Sequence, residues 1–216
     1  MRDPMKIWVA ALAVAAGAAL SGCTSPMVTA TAERAGKVFE VRSSDIQNED
    51  AAIASRFLAR LGEIDRKLHL DVAIDVWEGD AMLTGVVVDE KTRQAVARAA
   101  RADKAVKTVF DDVRVVPKAV RDKRRAERET GNHSDKEGSL GSDLWIEAKI
   151  RAQLVTSYDV RSVNFRWRAV QGQVYVLGTA RSQEELQKVI KTVRATENVR
   201  GVKPHVEVVT PTSSKR

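Results

Sequence analysis

The sequence predicts an α+β chain made of two tandem α-β-β-α-β units, each a three-stranded mixed sheet covered by two helices. Three observations predict it. Displaced by 93 residues, positions 50–116 align with 143–209 without a gap. Each copy opens with apolar residues at helical spacing, and each continues with apolar residues in alternation, the period of a half-buried strand.

The elements follow in order. Ile53, Phe57 and Leu61 lie over Ile146, Ile150 and Leu154, the i, i+4, i+8 spacing of a buried helical stripe. Leu70, Val72, Ile74 and Val76 then lie over Val163, Phe165, Trp167 and Ala169, a first strand whose intervening residues are expected to face solvent or a partner. Gly79 and Gly172 suit a tight hairpin turn, after which residues 81–85 and 174–178 supply second strands. Ser182 with Glu185 reads as a capping box opening a helix to about Thr196, matched by Asp89 as N-cap in the first copy. Val106, Val109, Val113 and Val115, and in the second copy Val199, Val202, Val206 and Val208, mark the closing strands.

The helix-strand order, the ungapped length and the Gly-x-Val-x-(Val/Leu)-x-Gly-like stretch resemble the BON domain of bacterial envelope proteins. The residues that carry the resemblance are Leu83 and Gly85 in the first copy and Gly172, Val174, Val176 and Gly178 in the second. Gly201-Val202 fits the family's Gly-Val near the last strand, whereas the first copy has Thr108-Val109, which makes it the more divergent. The resemblance implies a non-catalytic binding module linked to phospholipid and envelope integrity.

Ahead of the repeats, Arg2 and Lys6 precede 14 uncharged residues from Ile7 to Leu20 and then Ser21-Gly22-Cys23. Fourteen helical residues reach about 21 Å, short of the roughly 30 Å hydrocarbon core, so this reads as a signal peptide rather than a span. Leu-Ser-Gly-Cys resembles the lipobox of bacterial lipoproteins, which implies cleavage before Cys23 and acyl chains on its sulfur. Cys23 is the single cysteine, so no disulfide forms within the chain in an oxidising compartment. Thr24 follows it, rather than the aspartate that resembles an inner-membrane retention signal, so the expected address is the periplasmic face of the outer membrane. The expected plan is thus a signal peptide (1–22), a lipidated N-terminus and flexible tether (23–49), domain one (50–116), a solvated charged linker that is open to helix at its start (117–142), domain two (143–209) and a tail (210–216); Lys118, Arg121, Lys123, Arg124, Arg125 and Arg128 in the linker are alternatively a headgroup-binding basic patch diluted by Asp122, Glu127 and Glu129. Beyond the lipid on Cys23 no cofactor is expected.

No catalytic pattern stands out. His69, His133 and His205 fall in unrelated settings without metal-ligand spacing, and there is no nucleophile elbow or phosphate loop. Asp71 and Asp75 read as solubilising charge on an outward strand face. The formal net charge is +7; an exported basic protein meets anionic headgroups or acidic polymers, and nucleic acid is not expected as a partner.

The copies differ in surface. Lys and Arg against Asp and Glu number 11 against 12 in the first and 11 against 7 in the second, and Asp71, Ala73 and Asp75 become Asn164, Arg166 and Arg168. An anionic partner is therefore expected at the second copy. Its first helix also carries Leu144, Trp145, Ala148, Ala152 and Val155 opposite the core stripe, flanked by Lys149 and Arg151, where the first copy has Ala51, Ala52, Ser55, Ala59 and Gly62. An aromatic and aliphatic patch bordered by cations suits an interfacial membrane helix. The expected lipid-binding residues are Leu144, Trp145, Lys149 and Arg151, with Arg166 and Arg168 adding attraction if their strand face is open. The same patch could instead pack on the first copy or the tether, or dock an envelope protein, making the chain a periplasmic interaction adaptor.

Overall fold

The computed structural model describes residues 40–134 and 136–209. Their order is α1 (Ser44–Ile64), β1 (Val72–Trp77), β2 (Asp80–Val87), α2 (Glu90–Arg101), β3 (Thr108–Val115), α3 (Lys118–Thr130), α4 (Leu140–Val155), β4 (Phe165–Val170), β5 (Gln173–Ala180), α5 (Gln183–Ala195) and β6 (Gly201–Val208). Short 3₁₀ turns, Leu68–Leu70 and Ser162–Asn164, precede β1 and β4, so Leu70 and Val163 lie just outside the strands that were expected to include them.

Each repeat forms a three-stranded sheet in which the middle strand pairs antiparallel with the first and parallel with the third. The hairpins turn through two residues of positive φ, Glu78 (53°) and Gly79 (86°), and Gln171 (52°) and Gly172 (77°), the backbone twist that closes a two-residue hairpin. The first residue of each repeat holds this turn. Asp50 accepts hydrogen bonds from the N–H groups of Glu78 (2.8 Å) and Gly79 (2.9 Å), and Asp143 from those of Gln171 (2.7 Å) and Gly172 (2.8 Å). Gly85 and Gly178 sit at positive φ opposite the first residues of β1 and β4, where an added Cβ would lie 2.1 Å from the carbonyl oxygens of Asp71 and Asn164. Only glycine permits that approach.

The helical stripes are buried as their spacing demands: Ile53, Phe57, Leu61, Ile146, Ile150 and Leu154 are each at most 1% exposed. In the first repeat Phe57, Leu61, Leu83, Val96 and Val113 form one core between helices and sheet, and in the second Ile150, Leu154, Phe165, Val176 and Val189 form another.

The intervening strand residues do not face solvent. They make a third core that joins the repeats: Trp77, Met82, Val86 and Val116 pack with Val170, Tyr175 and Leu177, so the sheets lie face to face with helices outside. The Trp77 Nε1–H donates to Thr179 Oγ1 at 2.8 Å, which satisfies the indole in a buried setting.

Charge completes the interface. Arg168 meets Asp75 through Nε (2.6 Å) and Nη2 (3.0 Å), a two-point contact between guanidinium and carboxylate. Asp112 of β3 receives Lys203 Nζ at 2.6 Å and lies 2.6 Å from His205 Nε2, while the His205 ring stacks on Phe110 at 4.0 Å. Burial pushes the Asp112 carboxyl up, but the hydrogen bonds from His205 and Lys203 outweigh it and hold the group below the usual carboxylate range. The acids that read as solubilising charge thus have buried work: Asp75 joins the repeats, and Asp71, 6% exposed, is paired with Arg121 and Arg125.

Those two arginines belong to α3, so the segment between the repeats is not a solvated linker. Its helix is braced on both domains. Arg124 donates to Gly138 O at 3.0 Å and pairs with Asp143 at 2.8 Å, and Glu127 accepts the N–H of Leu140 at 3.0 Å. The expected tether is also shorter than its boundary at residue 49. Ser43 caps α1 from Ser44 onward, Arg42 pairs with Asp50 at 2.5 Å and lies 3.7 Å over the Trp77 ring, Glu40 pairs with Arg166, and the N–H of Val41 donates to Asn164 Oδ1 at 3.1 Å. Residues 40–43 therefore bridge the two repeats.

Candidate membrane-facing site

Because each sheet covers the other, the outward surfaces of the molecule are helical, and they are unequal. On α4 the rotation of about 100° per residue places Ile146, Ile150 and Leu154 on the core side and Leu144, Trp145, Ala148, Ala152 and Val155 on the opposite side. Leu144, Trp145 and Val155 are 41, 37 and 65% exposed. Trp145, Ala148, Ala152 and Val155 stand open to solvent, while Leu144, at the edge of this face, also borders the groove shared with the first repeat.

The cations expected beside the patch border it. Lys149 Nζ stands 5.0 Å over the Trp145 ring, and the Arg151 guanidinium 5.5 Å over the Trp167 ring, contacts worth about 0.5–1 kcal/mol at exposed sites. Neither has a carboxylate partner among the described residues. The Trp167 Nε1–H donates to Glu147 O at 3.1 Å, which fixes the ring on which Arg151 rests.

Arg166 and Arg168 stand elsewhere. Their strand face is covered by the first repeat, and they are answered there by Glu40 and Asp75. The condition attached to them, an open strand face, is not met. Cys23 and the segments 1–22 and 210–216 lie outside the described residues.

Sequence reasoning missed Tyr158, fully exposed just beyond the end of α4. It lies outside the helical window in which the apolar face was counted, and its signal was only an aromatic residue one short step past the last position of that face. With it, an aromatic group stands near each end of one helix.

Among the described residues no helix is long and apolar enough to cross a membrane, and no group of three His, Cys, Asp or Glu side chains is placed to hold a metal ion.

The family model described as BON domain matches residues 49–117 and 142–210. The chain is 30% identical over 167 residues to an uncharacterized protein in the gshII 5′ region of Anaplasma centrale, covering 77% of this chain and 97% of that one. CdsD, a structural protein of the type III secretion system of Chlamydia trachomatis, aligns at 14% identity and a TM-score of 0.31 over 69% of this chain and 93% of its own. A structure of the CdsD C-terminal domain gives 12% and 0.29 over 72% and 96%; nothing about this chain follows from likeness at that level. BON domains bind phospholipids and occur in envelope proteins, and the family is generally non-catalytic.

Proposed function

Since this chain belongs to the BON-domain family, we propose that it is a non-catalytic envelope lipoprotein, acylated on Cys23 at the periplasmic face of the outer membrane, that engages anionic phospholipid through α4 and supports membrane integrity. The observation that carries the reading is the uncovered apolar face of α4, with Leu144 and Trp145 outward and Lys149 and Arg151 beside them. Burying Leu144 and Trp145 in the acyl boundary contributes roughly 1.5–3 kcal/mol each, and each cation about 1 kcal/mol near an anionic surface. The acyl chains alone make release from the membrane negligible, at about 0.8 kcal/mol per buried CH₂. The α4 face therefore biases where in the membrane the protein resides rather than whether it stays there.

Flotation of residues 24–216 with phosphatidylglycerol vesicles tests this. Leu144→Ala with Trp145→Ala is expected to weaken binding at every salt concentration, and Lys149→Glu with Arg151→Glu mainly at low salt, because only the charge contribution is screened. A parent fragment that ignores anionic vesicles sinks the lipid reading and leaves the exposed face as a docking surface for an envelope protein.

A further inference from the structure

The groove between the repeats contains a cavity of about 320 Å³ whose wall includes Arg124, Arg128, His133, Leu144, Glu147 and Arg168. We propose that this cavity is a binding site for a phosphate group, with Arg128 as its principal ligand.

Three observations support it. First, Arg128 has no carboxylate partner among the described residues, in a molecule whose neighbouring cations are answered: Arg124 by Asp143, Arg125 by Asp71, and Arg168 by Asp75. Second, Arg128 is crowded by like charge. Desolvation lowers its basicity, and Arg124 and Arg168 lower it further, with Glu147 and Asp71 opposing them. An anion on this wall relieves that repulsion, and a guanidinium offers the paired donors that a phosphate accepts. Third, small side chains keep the floor open. Ala73 and Thr84 line the cavity, whereas the second repeat has Arg166 and Leu177 at the matching positions. The volume lies in the range of small-ligand sites, roughly 300–1,000 Å³.

The acids in the wall set the limit on charge. Asp71 and Asp143 are neutralised by the arginines of α3, and the Glu147 carboxylate accepts the N–H of Ala169 at 2.9 Å, with burial pushing its carboxyl up. Among the described residues the cation left unpaired at the mouth is thus Arg128, itself solvent-exposed, with His133 beside it.

Leu144 belongs both to this cavity and to the exposed face of α4. That continuity points to a phospholipid headgroup as one source of the phosphate, an assignment that rests on the lipid reading above; a free phosphate is the other. The test uses the full chain, purified in a non-ionic detergent and titrated at constant ionic strength with glycerophosphoglycerol, glycerol 3-phosphate and inorganic phosphate, against chloride as control. The expected result is a rise in melting midpoint with the phosphates and not with chloride, since a ligand of the native state stabilises it by mass action. Arg128→Gln weakens the apparent affinity about tenfold, the loss of a charge-assisted contact, and Arg128→Lys recovers part of it. Without ligand, Arg128→Lys melts with the parent and Arg128→Gln melts no lower than the parent, because it removes a charge crowded by Arg124 and Arg168. Trp145→Ala, at a position outside the cavity wall, leaves glycerophosphoglycerol binding in place, which separates this site from membrane insertion. Response to glycerophosphoglycerol assigns the site to a headgroup; response to inorganic phosphate alone assigns it to the free ion. No response to any phosphate, or an undiminished response in Arg128→Gln, overturns the proposal.

Discussion

The two repeats are one frame used in two ways. Both hold their hairpin with an aspartate at their first position, both need a glycine against the start of the first strand, and both bury three apolar residues at the same helical positions. They differ where they meet. The first repeat presents Asp75 and Asp112, and the second presents Arg168, Lys203 and His205. The outward face of the first helix differs too: Ala51, Ala52, Ser55, Ala59 and Gly62 in one repeat stand against Leu144, Trp145, Ala148, Ala152 and Val155 in the other. Duplication supplied the frame. The divergence lies in the inward face, which makes the copies complementary, and in one outward face, which makes only the second apolar.

Two tryptophans give the largest and smallest effects on stability. Trp77 is 3% exposed and hydrogen-bonded across the repeats, so Trp77→Ala is expected to cost about 3–5 kcal/mol. The loss should appear as a fall in the denaturation midpoint of the whole molecule. If instead one repeat melts apart from the other with Trp77 intact, the sheets do not depend on one another as described.

The shared frame comes next. Gly178→Val and Gly85→Val each force a Cβ against a backbone carbonyl at 2.1 Å, and each is expected to cost about 3 kcal/mol or more, because strain at a special backbone position adds to the clash. Thermal melts of the pair should fall by similar amounts; a marked inequality would break the equivalence of the two copies.

Acid weakens the interface by a smaller amount. The native carboxyl of Asp112 is held below its ordinary value by His205 and Lys203. Its contribution is therefore fully present above the unfolded pKa of about 3.9 and is lost as pH falls through the lower native value. Asp112→Asn should flatten the stability curve in that acid range, as denaturant titrations at stepped pH would read.

Smallest of all, Trp145→Ala is expected to change the melting midpoint by no more than about 0.5 kcal/mol equivalent, the usual range for an exposed position, although it weakens vesicle binding. A large loss of stability there would mean that Trp145 is packed rather than presented.

Apolar periodicity made the helices, strands and both helix-facing cores readable from sequence, since Ile53, Phe57 and Leu61 could be matched to their counterparts without coordinates. The inward faces were harder. Val86 against Thr179 and Met82 against Tyr175 show no shared pattern, because complementary surfaces need not resemble each other. The swap of Asp75 for Arg168 was visible and pointed to an anionic partner for the second repeat; one such partner proves to be the first repeat. The packing of α3, though not helix at the start of that segment, was hidden for a related reason. Arg121, Arg124 and Arg125 bury themselves through carboxylates on other elements, and burial by ion pairing leaves no apolar stripe. Tyr158 lay beyond the window in which a helical face can be counted.

The complementarity of the two repeats is tested most directly by a charge-reversal cycle at Asp75 and Arg168. Asp75→Arg and Arg168→Asp alone should each cost about 1–2 kcal/mol, a figure reduced for the partial exposure of Arg168. The account predicts that the double variant, which restores opposite charges across the interface, recovers most of that loss, with a coupling of about 1 kcal/mol or more. Losses that simply add would contradict it, since the two side chains would then not meet in the folded protein.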